Sequence, residues 1–516
     1  MSDVYSMDPR TGVTMEMVAE DSDGPAVSRV CLAAAEAAEG LAALGLDGRA
    51  DLLRRIAYEL ESDGTTLVET ADRETALGAE RLTGELARTC AQLRFFADVL
   101  HEGSHVGATI DHADPAAVPP RPDMRRMMLP LGPVAVFGSS NFPLAFGVAG
   151  GDTASALAAG CPVVVKAHPS HPATCLAAFR AVTRAVAHAG APVGTVGIVW
   201  GFDAGRALVL DPQVRAVGFT GSLSGGRHLH DLVASRPEPI PFHGELSSLN
   251  PIFVTPRAAR ERAEDIARGF AQSFSFGHGQ VCTKPGLLLV PAGEDGAELR
   301  AAVARSVTEL APAWLLNDGI RRGFLEGVRR LSSLPGVTGL VEGSATDEER
   351  AVRAVLLTVE ARQLLFVESP LLEECFGPFV VMAEYQGVQE LTAVADRLGG
   401  QLSAAVHSAG SVDAADPSDD EAALAARLLS RLGRTTGRIV WNGFTTGVAV
   451  GWASHHGGPY PATTSPEHTS VGAASIARFL RPVCYQSMPD ALLPAELRDA
   501  NPLGLPRRVD GRVHVE

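Results

Sequence analysis

Lysine is nearly absent from this 516-residue chain: of its 44 basic residues only Lys166 and Lys284 are lysine, and the rest are arginine. Coding bias explains the depletion, since Ala, Gly and Pro are abundant, but not where the two survivors stand. Arginine replaces lysine freely on a solvated surface and poorly where a compact ammonium must fit. Positive charge as a whole is also short. The 60 acidic residues leave a net charge of −16, which excludes a general nucleic-acid or anionic-membrane binder. Seven cysteines lack any CxxC or paired short spacing, so they read as reduced thiols, not as a disulfide framework or a zinc site. No basic start with an apolar run marks the N-terminus, and the most apolar region, Gly132 to Val165, is interrupted by Asn141 and Asp152. These absences predict a cytoplasmic protein without a membrane span. The length and the 46% hydrophobic content predict two or three domains with ample cores.

From Ala26 to Leu100 apolar residues recur at three- and four-residue spacing, as in packed helices. After a Pro- and Arg-rich stretch, Asp114 to Met128, the period changes. Residues 133–138 (PVAVFG), 162–168 (PVVVKAH), 196–201 (VGIVWG) and 214–221 (VRAVGFTG) read as buried strands. Helices fit Gly147 to Ala159 and Thr174 to Ala189 between them, which implies βαβ units on a parallel sheet. A second α/β region follows, with IFVTP after Pro251, a helix from Arg257 to Phe274 and GLLLVP at 286–291. Ser408 to Glu421 is acidic and reads as a solvated loop before a helix at Ala422 to Leu432.

In a parallel sheet, functional groups lie past the carboxyl ends of the strands. Asn141, Lys166 and the glycine-rich turn Gly221, Ser222, Gly226 stand there. That turn suits a nucleotide phosphate, through bare N–H groups and a helix N-terminus, although spacing alone equally allows a plain turn. A second cluster is FHGELSSLNP (242–251) with FGHGQVCTKPG (276–286). Taken singly, Cys282 is one of seven thiols and Glu245 one of many carboxylates.

Jointly, PLGPVAVFGSSNFPLAF, PVVVKAHPSHP, VGFTGSLSGG, GELSSLNP, GQVCT and EECFGPF occur in an order and spacing that resemble the aldehyde dehydrogenase superfamily from Pro130 to about Phe379. HHGGPYPATTSPEHTSVG (455–472) and the segment 481–506 resemble its 2-oxoglutarate semialdehyde (2,5-dioxopentanoate) branch. The resemblance implies an α/β fold with a Rossmann-type cofactor domain (1–118 and 134–244), an α/β catalytic domain (245–478), and an oligomerisation arm and tail (119–133 and 479–516) that pairs subunits as dimers or tetramers. It implies Cys282 as nucleophile, Asn141 and the Cys282 N–H as oxyanion donors, and Glu245 as the base that activates the deacylating water, its pKa tuned upward by a partly apolar site. Lys166 falls in both the catalytic and cofactor sets. Ser170, Gly221, Ser222, Gly226, Glu374 and Phe376 complete the cofactor contacts. Where NAD-preferring relatives carry a glutamate, Pro169 stands, followed by Ser170, so NADP is the expected cofactor, with NAD accepted; Arg206 is a candidate partner for its 2′-phosphate.

Two departures stand out. Ser247-Ser248 replace a usual glycine pair, adding side chains near the nicotinamide. Lys284, two residues past Cys282, either lowers the thiol pKa and helps place an acidic substrate or forms a surface salt bridge. The fifteen histidines, His455-His456 among them, read as hydrogen-bonded or exposed, with no metal site. The expected reaction is oxidation of a semialdehyde to its acid. Long-chain or aromatic aldehydes, a CoA-acylating enzyme and a cysteine hydrolase with His278 as base are the alternatives.

Overall fold

The computed structural model describes residues 3–343, 350–409 and 419–515. The N-terminal pattern forms α1 (Gly24–Ala43), α2 (Gly45–Ser62), α3 (Gly64–Thr75) and α4 (Ala79–Glu102). The periodic Leu52, Leu53, Ile56, Leu60 and Leu67 are all buried in one core with the first sheet. Asp23 caps α1 by accepting from the Ala26 N–H, just ahead of Pro25.

That sheet is five-stranded and parallel, in the order Val196–Val199, Val163–Lys166, Val134–Phe137, Ala216–Thr220, Phe242–Glu245. Its valine-rich strands are largely buried on both faces, as helices packed on each side require. The chain steps outward from Val134–Phe137 in one direction, then crosses back to Ala216–Thr220. The switch point therefore lies between these two strands, where open α/β sheets hold their ligands. Helices α5 (Gly151–Ala159), α6 (Pro172–His188), α7 (Phe202–Leu210) and α8 (Leu223–Ala234) make the connections.

Helix α5 starts four residues later than the sequence pattern predicts. A Cβ on Gly147 would sit 2.0 Å from the Pro143 carbonyl oxygen, so 138–150 fold as a tight loop instead. The expected continuous helix from Arg257 to Phe274 is two, Pro256–Glu261 and Ala263–Ser275. Arg262 breaks it with φ −135°, and its guanidinium donates to the Ser408 carbonyl at 2.9 Å and to Asn442 Oδ1 at 2.6 Å.

A second sheet runs Thr338–Val341, Val355–Glu360, Phe379–Tyr385, Leu287–Pro291, Ile252–Val254, Gln401–His407, Thr436–Trp441, parallel except at the first pair. A third joins Leu480–Gln486, Met124–Pro130, Thr109–Asp111, Arg507–Val509 and Arg512–His514. Most of the acidic loop, 410–418, lies outside the described residues; the helix after it is Asp420–Leu432, capped by Asp419. Among the described residues no helix is long and apolar enough to cross a membrane. A buried ion pair at 2.7 Å joins Asp152 of α5 to Arg478, whose carbonyl lies 2.9 Å from His243 Nε2 in the strand that ends at Glu245.

Candidate active site

The strand ending at Glu245 lies at one edge of the first sheet, and the segment from His456 to Ser470 runs beside it. Thr464 N donates to the Gly244 carbonyl at 3.0 Å, Leu246 N to Ala462 at 2.8 Å, and Glu245 pairs with Thr463 in an antiparallel bridge. This pairing delivers two side chains to the carboxylate. His456 Nε2 is 2.9 Å from Glu245 Oε1, and Ser470 Oγ donates to Oε2 at 2.7 Å. Cys282 Sγ lies 3.5 Å from the same His456 nitrogen. A carboxylate only accepts, so Nε2 carries a proton and donates to Glu245, while Nδ1 is buried without a partner.

The ligand atoms of Glu245, Cys282 and His456 all lie within 4.8 Å of one another. Such a sulfur, nitrogen and oxygen set can relay protons, and it could equally take a soft divalent cation. Burial pushes the Glu245 carboxyl up, but His456, Ser470 and the Cys282 thiol outweigh it and hold the group down at about 2. The upward tuning expected of Glu245 is thus corrected: its partners win over desolvation. Burial, and after it the Glu245 charge, drive the Cys282 thiol well above its ordinary value, opposed by Arg88. The proton of the pair rests on sulfur.

The approach to Cys282 is tightly wound. Gly277, His278 and Gly279 all adopt left-handed backbone, with φ 58°, 59° and 71°, and a Cβ on Gly279 would meet the Gly377 backbone at 2.7 Å. The turn is pinned by Asn250, whose Nδ2 donates to the Cys282 carbonyl at 2.8 Å and the Lys284 carbonyl at 3.0 Å. Asn141 reaches the same turn, donating from Nδ2 to the Gln280 carbonyl at 2.7 Å. His278 Nδ1 instead lies 3.3 Å from the Trp314 carbonyl, so the ring beside the thiol is that of His456.

Lys284 fits neither expectation. It is 2% exposed, and its Nζ donates to the carbonyls of Phe379 at 2.8 Å and Cys375 at 3.4 Å. It therefore clamps the turn of Cys282 to the EECFGPF segment. Ser248 turns inward, within 2.8 Å of Asn250 Oδ1 and 3.0 Å of Gln401 Oε1, while Ser247 donates to Glu374 at 2.6 Å.

At the ends of the first sheet's strands, Lys166 is buried with its ammonium 4.8 Å from the centre of the exposed Phe202 ring, and burial lowers it to about 8. Ser222 caps α8, accepting from Gly225 N at 3.2 Å. Gly221 N donates to the Glu245 carbonyl at 3.1 Å. A Cβ on Gly226 would come within 2.1 Å of Leu246 Cδ2, so glycine lets α8 close onto the residue after Glu245. Phe376 is half-buried beside Glu374. Ser170 Oγ accepts from Asn317 Nδ2 at 2.7 Å, and Arg206 is exposed, 3.3 Å from His228 Nε2. A buried ammonium, a serine-capped helix start with a glycine cradle, the unpartnered buried Ser139 hydroxyl and the Glu374 carboxylate fit a dinucleotide lying across the switch point.

A doubly wound sheet with a thiol, carboxylate and amide gathered beyond its strand ends is the framework of an enzyme that pairs a nucleotide site with a cysteine. The model of the aldehyde dehydrogenase family matches residues 2–312. The chain is 44% identical over 489 residues to alpha-ketoglutaric semialdehyde dehydrogenase 2 of Azospirillum brasilense, covering 94% of this chain and 91% of that one. It is 42% identical to alpha-ketoglutaric semialdehyde dehydrogenase of Acinetobacter baylyi, covering 90% and 86%. Crystal structures of PnpE from Pseudomonas sp. WBC-3 (TM-score 0.78, 20% identity, 95% of each chain) and of an aldehyde dehydrogenase from Pseudomonas syringae with NAD+ and octanal (0.77, 19%, 95% of each) share the fold. The chain belongs to the aldehyde dehydrogenase family and is an aldehyde-oxidising enzyme with a nicotinamide cofactor.

Sequence reasoning missed His456 and Ser470 as site residues. The one signal was their place in HHGGPYPATTSPEHTSVG, a run of polar residues and glycines too irregular for a core element.

Glu245→Gln removes the charge that opposes ionisation of Cys282. The pH midpoint of its alkylation by iodoacetamide falls, with a roughly tenfold faster reaction at mildly alkaline pH; an unchanged or higher midpoint contradicts a proton resting on sulfur. Lys284→Arg overfills a closed site at about 1–3 kcal/mol, lowering the Tm by several degrees on calorimetry, and an unchanged Tm contradicts the clamp.

Proposed function

We propose that the enzyme oxidises 2-oxoglutarate semialdehyde to 2-oxoglutarate through a thioester on Cys282, preferring NADP and accepting NAD. The observation that carries this reading is the buried cluster of Glu245, His456 and Cys282 beside Asn141. Support for the substrate comes from the two relatives above 40% identity, both named for that semialdehyde.

The Glu245 carboxylate receives the thiol proton as Cys282 sulfur bonds to the aldehyde carbon. The oxygen, now an anion, is met by the second N–H of Asn141 Nδ2 and by the Cys282 backbone N–H. A bound nicotinamide supplies the hydride acceptor. Glu245, once free of its proton, then takes one from the water that cleaves the thioester, with His456 and Ser470 holding both carboxylate oxygens in place. One aldehyde and one water yield the acid, with two electrons leaving as hydride and one proton, the one first taken by Glu245, leaving to solvent, and the thiol is regenerated. A carboxylate placed to activate water lets the thioester hydrolyse without an added thiol, so the reaction needs no CoA.

In the same reading, Lys166, Gly221, Ser222, Gly226, Glu374 and Phe376 hold the cofactor. Pro169 presents no anion to a 2′-phosphate, and the exposed Arg206 with His228 can approach it. Ser170, held by Asn317, belongs to the same set of cofactor contacts. Residues 1–118 and 134–244 bind cofactor, 245–478 carry the chemistry, and 119–133 with 479–516 form the arm and tail through which dimers or tetramers assemble. The exposed Val513 and Val515 at the third sheet's edge support that assembly. Cytoplasmic residence belongs to the same reading, supported by seven free cysteines. Long-chain or aromatic aldehydes are the competing substrates.

Following cofactor reduction with 2-oxoglutarate semialdehyde, octanal and benzaldehyde, each with NADP and NAD, tests this. The semialdehyde with NADP gives the highest kcat/KM, and Arg206→Ala raises the KM for NADP more than that for NAD. A higher kcat/KM with octanal or benzaldehyde contradicts the substrate, and no reduction with any aldehyde contradicts the reaction.

A further inference from the structure

Two arginines from distant parts of the chain meet one loop beside the nucleophile. Arg438, in strand Thr436–Trp441, donates to the carbonyl of Gly447 at 2.5 Å and to that of Thr445. Arg88, on α4, reaches the Val448 carbonyl at 3.5 Å and lies over the Phe146 ring, 5.6 Å from its centre. The loop in turn rests on the turn of Cys282: Thr446 Oγ1 is 2.9 Å from the Ser273 carbonyl and 3.4 Å from that of Thr283. Phe142, Phe146, Val448 and Val450 pack together at this end of the site.

Neither guanidinium has a carboxylate within ion-pair distance among the described residues, and Arg88 Nη1 and Arg438 Nε are buried without a hydrogen-bond partner. Glu85 is the acid nearest in sequence to Arg88, and it is committed elsewhere. It accepts from Leu144 and Ala145 N–H groups and pairs with Arg81 at 3.7 Å, while Arg81 holds the Asn141 carbonyl at 2.7 Å. Burial lowers both Arg88 and Arg438; the charge of Glu85, and after it those of Cys282 and Glu245, oppose it at Arg88, and Cys282 opposes it at Arg438. Desolvated cations with open donors are costly until an anion arrives.

We propose that Arg88 and Arg438 together grip the carboxylate at the far end of the substrate, making the enzyme selective for aldehydes that carry an acid group remote from the carbonyl. This rests on the reading of Cys282 as the nucleophile of an aldehyde dehydrogenase. It explains how a chain of net charge −16 accepts an anionic substrate: two cations at one loop, each with a buried open donor, dominate the local field.

The test compares kcat/KM for 2-oxoglutarate semialdehyde and for pentanal, of equal chain length without the acid, in the full-length enzyme and in Arg88→Gln and Arg438→Gln. Each variant lowers the ratio of the two values by roughly 10- to 100-fold, mainly through KM for the acid aldehyde. A ratio within about twofold of wild type overturns the clamp, as does equal loss on both substrates. Glutarate gives a second readout without mutation: it inhibits pentanal oxidation by the wild-type enzyme competitively with the aldehyde, and absence of competition overturns the proposal. Wild-type enzyme that oxidises neither aldehyde overturns the underlying reaction instead.

Discussion

The structure turns on one buried carboxylate. Glu245 is 3% exposed at the end of an edge strand, where an unpartnered anion would be intolerable. His456 and Ser470 satisfy its two oxygens from 211 and 225 residues away in sequence, and doing so zips the C-terminal segment onto that strand. The thiol proton, the orientation of His456 and the closure of the segment over the Cys282 turn all follow from where this charge sits. Cys282 therefore rests as a thiol next to the Glu245 carboxylate, less reactive toward electrophiles than an ionised cysteine.

The two lysines acquire distinct meanings. Lys166 ends the strand next to the switch point, buried, with its ammonium against an aromatic ring; a slim donor suits ribose hydroxyls better than a planar fork. Lys284 is a fully enclosed cation serving two backbone carbonyls, an arrangement that leaves no room for a guanidinium. Arginine takes the opposite part, at wider sites where more than one backbone or side-chain acceptor is reached at once, as at Arg262, Arg478 and Arg438.

Much of this was legible in the sequence. The valine-rich runs ended by Gly, Lys or Thr announced the buried parallel strands, and the ordered motifs brought out Asn141, Lys166, Glu245 and Cys282. What escaped was information that only tertiary contact creates. His456 has no local pattern to set it apart from fourteen other histidines, and the tightness around Gly147 and the break at Arg262 depend on backbone and partners far along the chain. The same holds for charge: apolar surroundings suggested a raised Glu245, yet three hydrogen-bonding partners reverse the sign.

Intact-mass spectrometry of Glu245→Gln, mixed with 2-oxoglutarate semialdehyde and NADP and quenched in acid, addresses the central claim directly. If Glu245 is the base for deacylation, the protein gains the mass of one acyl group, localised to Cys282 and persisting while product formation stalls. Unmodified protein that turns over at the wild-type rate would contradict the account.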